Sequence, residues 1–345
     1  MDSLKAKRLL VAASGVGVAV GCLLIAFYPR FLSVIAAQVV IGGASAIIPP
    51  ALAALSLGLV GRKRLDARIS RNEGFNHGGN FVAAALAGTL GQRLGYNWIF
   101  YLVCAFAAAS AVVVNLINSK EIDDDLGGGG GGGNAKEAEG GDGKPASVKE
   151  ILQRRDLLVF LVSVVLFHFG NAAMLPMAGQ VLAKTHPGAD VTALSACIIA
   201  AQLVMIGVAA AVGYAIKRRV GRKAIFLVAL GVLPVRGALF CLTDSPVGVV
   251  AIQLLDGVAA GIFGVVSILI AADLMRGTGR FNLAQGLVAL AVGAGAGLSN
   301  VVSGYIVQAF GYPAGFLSLA AVAVAALVFF WLFMPETGDA QSPAK

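Results

Sequence analysis

The sequence predicts an all-α integral membrane protein of ten transmembrane helices, four followed by six, related by a parallel internal repeat. Three observations predict it. Of 345 residues, 58% are hydrophobic and 13% charged, where a soluble domain carries about 45–50% apolar and about 25% charged residues; mean hydropathy is +0.85. Ten continuous apolar runs punctuate the chain. Short stretches of the first part recur in the second at a nearly constant offset.

The runs are 9–27, 33–60, 75–92, 98–117, 157–183, 192–216, 224–243, 246–272, 283–310 and 313–334. A helix needs roughly 20 apolar residues to cross a hydrocarbon core of about 30 Å. Barrel strands would be about 10 residues long and alternate apolar with polar; these runs are longer and do not alternate. Helices are then the remaining way to satisfy every backbone amide in lipid. The first run is longer than a signal-peptide core of about 7–15 residues and passes straight into a second membrane segment, so it reads as a span. Pro49-Pro50 should bend the second run, and Pro176 should kink the fifth. Gly257-x-x-x-Gly261 and Gly293-x-x-x-Gly297 read as sites of close helix packing.

Lys and Arg set the orientation. With the N-terminus inside, 22 of the 26 basic residues fall in inside segments; Arg30, Arg93 and Lys184 lie outside and Arg236 lies within a span. Both termini are therefore expected in the cytoplasm and the bilayer is the first partner, with the plasma membrane as the location. The distribution also accounts for the net charge of +8 without nucleic acid, because no single basic stripe forms. Cys22, Cys104, Cys197 and Cys241 all sit in apolar runs with no C-x-x-C or Cys/His cluster, so no disulfide, metal or cofactor is expected.

Residues 119–156, with seven consecutive glycines, read as a flexible cytoplasmic linker, ending in a short amphipathic helix near Val148–Leu152. It separates an incomplete N-terminal bundle, 1–118, from a six-helix C-terminal bundle, 157–345. Gln38–Gly42 resembles Gln253–Gly257, Gly95-Tyr96 resembles Gly311-Tyr312, Phe75-Asn76 resembles Phe281-Asn282, and Lys7 and Gly15 fall opposite Lys223 and Gly231; the offsets are 215, 216, 206 and 216. Spans 1–4 thus align with spans 7–10, and spans 5 and 6 have no counterpart. The expectation is a six-plus-six plan without its first two helices, from a truncated sequence or a naturally ten-spanning protein. The basic stub SLKAKRLL favours truncation.

Two such halves around a long charged central loop resemble the major facilitator superfamily. The loop Gly213-Tyr-Ala-Ile-Lys217-Arg218-Arg219-Val-Gly221-Arg222-Lys223 is similar to that family's G-x-x-x-D-R-x-G-R-R loop, but lacks its aspartate and carries one extra residue. Pro335-Glu336-Thr337-Gly338 is similar to endings found in the family. The resemblance implies a helical bundle of that type and secondary transport by alternating access around a central cavity, usually driven by a proton or solute gradient. The family's exporter stretch has no match in Gly78–Gly91, which contains no proline.

Polar groups inside spans are costly, at least about 2.5–3.5 kcal/mol for a charge at the centre, and so are worth naming. Arg236 lies about 18 Å into span 7 and Asp256 about 15 Å into span 8 at 1.5 Å per residue, at matching depths on neighbouring helices. An ion pair is expected, either holding the bundle or acting as a gate or proton-responsive carboxylate. His168 and Asn171 share a face near the midplane, where the imidazole is a candidate proton carrier or a neutral core histidine. Gln202, Gln253 and Asn300 complete the candidates for a substrate and proton pathway. At the inner mouth, Asn76, His77 and Asn80 form an expected polar cluster, read as helix capping and loop anchoring ahead of substrate contact, and they count among the candidate cytoplasmic gate residues. Glu73, Asp273, Arg276 and Arg280, with Lys217, Arg218 and Arg222 in the loop, are candidate cytoplasmic gate residues.

The leading function is a monomeric secondary transporter of a small organic solute, with proton-coupled export as one form. The alternative is a truncated non-transporting fragment or membrane scaffold. An enzyme is not expected: no paired carboxylates, H-E-x-x-H, G-x-S-x-G or Cys/His nucleophile arrangement is present.

Overall fold

The computed structural model describes residues 4–95, 97–117, 147–187 and 190–338. Among them are eleven helices: α1 (Leu4–Phe27), α2 (Phe31–Leu94), α3 (Asn97–Asn115), α4 (Val148–Leu152), α5 (Arg155–Asn171), α6 (Met174–Thr185), α7 (Asp190–Lys217), α8 (Arg222–Leu239), α9 (Pro246–Leu274), α10 (Phe281–Phe310) and α11 (Tyr312–Phe333). Most of the expected linker, through 146, lies outside the described residues. α4 follows it, started by a capping box in which Ser147 and Glu150 exchange side-chain and backbone bonds.

Among the described residues, eight segments are long and apolar enough to cross a membrane. Two of the ten expected spans are not among them, for physical reasons. Asn76, His77 and Asn80 dilute the apolar run 75–92. The 18-residue α8 carries three charges, Arg222, Lys223 and Arg236.

α2 runs 64 residues, a length of about 96 Å if straight, three times a bilayer core. It is broken at Gly61, the one residue with non-helical dihedrals (φ 66°, ψ 173°), a conformation that only glycine adopts cheaply. The helix continues through Pro49-Pro50. The expected loop 61–74 is instead the first part of a second helical arm, 62–94. The fifth span is two helices, as Pro176 predicts: its ring cannot accept a helical carbonyl at residue 172, and the chain breaks at Ala172-Ala173. The freed amide of Ala173 donates to Ser299 Oγ at 3.0 Å.

The chain divides into two compact units. One comprises residues 1–65, 85–146 and 275–286. Here α1 packs on α3, Val11, Ala51, Leu55 and Val114 form a small core, and Arg8 donates to the Asn115 carbonyl at 2.7 Å. The other comprises 66–84, 147–274 and 287–345. Its main contacts are α9 with α7 and α8, and α11 with α5 and α8. A Cβ on Gly257 would lie 2.7 Å from Val204 Cβ, and one on Gly261 3.0 Å from Val208 Cβ, so this glycine pair does bring α9 onto α7. Gly293 and Gly297 face open space. Gly295 makes the close approach instead, against Val165 and His168 of α5. Rings of Phe160, Phe167, Phe226, Phe263 and Phe330 stack through the middle of this unit.

Candidate functional site

Three polar clusters and a polar-lined cavity are found in the larger unit. The innermost joins α5, α8 and α9. Arg236, 1% exposed, sits 3.1 Å from Asp256 Oδ1. Its Nη1 also donates to Asn171 Oδ1, its Nη2 to Gln253 Oε1 at 2.7 Å. Asp256 accepts in turn from Asn171 Nδ2 at 3.0 Å and Gln253 Nε2 at 2.9 Å. The four side chains form a closed ring of bonds, and the guanidinium lies 5.3 Å from the Phe240 ring. Four of the seven expected pathway residues thus converge.

The other three do not join them. His168 Nδ1 donates to the Val164 carbonyl of its own helix at 3.0 Å, and its ring stands edge-on to Phe263. Asn300 donates to the Ala296 carbonyl. Gln202 belongs to a separate cluster with His77.

The second cluster marks the end of the unit where α7 turns into α8. The expected loop aspartate is missing, yet Arg222 is not without acids. Its Nε donates to Asp273 of α9, and its Nη2 lies 3.1 Å from Asp66 Oδ1 in the 62–94 arm. Burial opposes the charge, but Asp273 and then Asp66 outweigh it and lift the Arg222 guanidinium above its ordinary value. Glu336 caps α8: its carboxylate accepts from the backbone amides of Lys223 at 3.3 Å, Thr337 at 3.0 Å and Gly338 at 3.4 Å, which suits the partial positive charge of a helix N-terminus. A Cβ on Gly221 would run into that carboxylate. Sequence reading missed Asp66, a lone acid between Arg62 and Arg71, and gave Glu336 no role. Lys217 and Arg218 are exposed, Arg218 over the Tyr214 ring. Arg276 and Arg280 belong to the smaller unit.

The third cluster lies deeper. Eleven residues past Asp66, about 16 Å along the arm, His77 is 7% exposed. Its Nδ1 lies 2.9 Å from Gln202 Oε1 of α7 and its Nε2 3.9 Å from Glu73 Oε2. Asn76 donates to the same carboxylate oxygen at 3.3 Å. Asn80 is exposed and takes no part. The expected mouth cluster is therefore one inward histidine, its carboxylate and an amide, carried well in from the Asp66 level by the unexpected extra turns of helix.

At the opposite end of the unit, α6, α10 and α11 surround a cavity of about 560 Å³. Gln180, Lys184, Asn300, Ser303, Gln308 and Tyr312 supply its polar lining. The Lys184 ammonium lies 4.8 Å from the Tyr312 ring centre, and the Tyr312 hydroxyl donates to Gln180 at 3.1 Å. Among the described residues no group of three His, Cys, Asp or Glu is placed to hold a metal ion.

The Major Facilitator Superfamily model matches residues 1–233 and 160–345. An uncharacterized MFS-type transporter of Mycobacterium tuberculosis, from strains CDC 1551 and H37Rv, is 40% identical over 343 residues, covering 98% of this chain and 80% of the relative. Among solved structures, the chain is similar to the MFS transporter FucP in its outward conformation, at TM-score 0.70 and 11% identity over 95% of this chain and 83% of that one. A variant of the E. coli fucose:proton symporter FucP gives 0.69 at 12% identity, covering 95% and 84%. The human organic anion transporter MFSD10 gives 0.65 at 15% identity, covering 94% and 77%.

Proposed function

The chain belongs to the Major Facilitator Superfamily, a family of multi-pass membrane transporters and not of enzymes, and from that premise we propose that it moves a small organic solute by alternating access, with a proton gradient as the driving force. The ten-span, four-plus-six arrangement, the 1–118 and 157–345 bundles and the inside location of both termini are part of this reading, as is export as its direction. So is action as a monomer in the plasma membrane.

The observation that carries it is the polar cavity at the α6–α10–α11 end. Ligand pockets typically run about 300–1,000 Å³, and this one is about 560 Å³. Its lining offers amides, hydroxyls and one ammonium, the complement of a hydroxylated or anionic solute. Asn300, expected on the pathway, lines it. The Arg236–Asp256 network joins α5, α8 and α9 and contributes no residue to that lining.

The test is solute profiling with the purified chain in proteoliposomes, with and without a pH gradient. Accumulation that depends on the gradient, and that falls at least tenfold in Asn300→Ala, supports the reading. Absence of gradient-driven uptake or efflux for every solute tried overturns it. Unchanged transport in Asp256→Asn would take Asp256 out of the pathway and leave it as a structural partner.

A further inference from the structure

In the Arg236 network each carboxylate and amide oxygen already holds a donor, and the buried atom left over, Arg236 Nε, is a donor on a cation that takes up no further proton. The Glu73–His77 pair is open. Gln202 meets His77 Nδ1 through its amide oxygen, which can only accept, so Nδ1 carries the ring hydrogen. The neutral ring then presents its lone pair at Nε2. That atom is buried and has no hydrogen-bond partner, and Glu73 Oε2, another acceptor, lies 3.9 Å away. Two acceptors facing each other inside a helix packing interface are unfavourable, with a net charge of −1 for the pair. One proton changes the sign of the contact. It makes Nε2 a donor to the carboxylate, brings the net charge to zero and turns a repulsive contact into a charge-assisted hydrogen bond.

We propose that His77 and Glu73, four residues apart on one helix, form a proton-binding site, and that the proton fastens the 66–84 segment against α7 and α9 by cancelling the net charge the segment buries there. The proton comes from water, binds the Nε2 lone pair and displaces nothing. The packing supports a dedicated site. α7 presents Gln202 to the ring. α9 presents Gly264, where a Cβ would sit 3.1 Å from Glu73 Oε2, so a bare glycine lets the carboxylate lie between the helices. On its own helix the pair has Asn76 beside it. None of these neighbours is charged or titratable, and the nearest acid towards the Arg222 end, Asp66, is about 10 Å back along the helix. The proton therefore has no competing partner in contact. Proton binding tightens the segment and proton loss loosens it. This rests on the transport reading only for its consequence, that a segment fastened by a proton makes the cycle responsive to pH; the binding itself is measurable without transport.

The test uses the whole chain in lipid nanodiscs. Histidine occurs three times, so His168→Gln with His186→Gln leaves His77 as the sole ring signal. Ring ¹⁵N and glutamate carboxylate ¹³C spectra are followed across pH about 4 to 10, a range spanning histidine titration. The Glu73 carboxylate is assigned by its loss in Glu73→Gln. We expect the His77 ring and the Glu73 carboxylate to report one coincident transition, as interacting sites do. Hydrogen exchange of 66–84, corrected for the intrinsic pH dependence, should be at least tenfold slower below the transition than above it. Glu73→Gln and Gly264→Ala should each flatten that difference. Separate transitions for ring and carboxylate, or protection of 66–84 that ignores pH in the unmodified chain, overturn the proposal. Neither result touches the solute-profiling test, and failure of solute profiling leaves the titration standing.

Discussion

Arg236→Met, Asp256→Leu and the double variant together weigh the central ion pair. At the observed 3.1 Å, two unit charges attract by about 5 kcal/mol with an effective dielectric constant of about 20. The Asp256 side chain keeps 16% exposure against 1% for Arg236, so solvent screens the pair and the attraction falls below that value. Removing one partner of a buried pair costs about 3–5 kcal/mol, because the other charge stays buried, while replacing both with apolar groups of similar size is often neutral or stabilising. The competing account is that neutral hydrogen bonds between helices do the holding. Those average about 0.6 kcal/mol each in a membrane protein, so the bonds to Asn171 and Gln253 would supply less than about 2 kcal/mol. The assay is reversible unfolding in mixed detergent–SDS micelles followed by circular dichroism. Each single variant should lose about 3 kcal/mol and the double variant should recover most of it, a coupling energy well above the roughly 0.5 kcal/mol seen for independent sites. Additive losses, with coupling under about 1 kcal/mol, would refute the ion pair as the element that holds α8 to α9.

The same unfolding assay checks the remaining expectations. Gly257→Ala should cost about 1–3 kcal/mol by overpacking, since its Cβ would sit 2.8 Å from the Ala201 carbonyl; Gly293→Ala, which meets nothing, should be neutral or gain up to about 1 kcal/mol of helix propensity. Ser299→Ala leaves the buried Ala173 amide without its acceptor and should cost about 1–3 kcal/mol. Asp273→Asn should destabilise more than Asp66→Asn, because the Asp273 side chain is 7% exposed and the Asp66 side chain 37%, and exposed pairs contribute only about 0–1 kcal/mol. Gly221→Ala should lose the Glu336 cap and match Glu336→Ala within error, at about 0.5–2 kcal/mol.

What the sequence shows of this protein depends on how local the physics is. The apolar runs are legible because lipid demands a continuous property over roughly 20 residues. The Arg236–Asp256 pair is legible because the turn Thr243–Pro246 makes their helices neighbours and a constant rise sets their depths. Asn171 and Gln253 complete the network from a helix apart and a turn away, and nothing local announces that they bond the same two charges. The helix 62–94 is hidden by its own composition: five basic residues from Arg62 to Arg71 read as a loop, although Arg and Lys are good helix formers and Gly61 supplies the only break. That single misplacement also moved Glu73 and His77 out of register with Gln202 and Gly264. The acids of Arg222 are invisible for a different reason. The loop motif expects its aspartate three or four residues before the arginine, whereas Asp66 and Asp273 come from 156 and 51 positions away.

Two of the three polar clusters of the larger unit differ in how many of their acceptors already hold a donor. Around Arg236 each oxygen of Asn171, Gln253 and Asp256 already has a donor, so any proton gained or lost there breaks a bond the bundle needs. Such a network is stiff and poorly suited to change state within a cycle. Around His77 one buried nitrogen and one carboxylate have bonding capacity left over, and the helix that carries them also holds Asp66 against Arg222. Two weak attachments on one short segment, an exposed carboxylate at one end and a proton-dependent contact about 16 Å further on, release together more readily than either core network could. A segment whose attachments are both conditional is where a pH change can alter the fold without dismantling it.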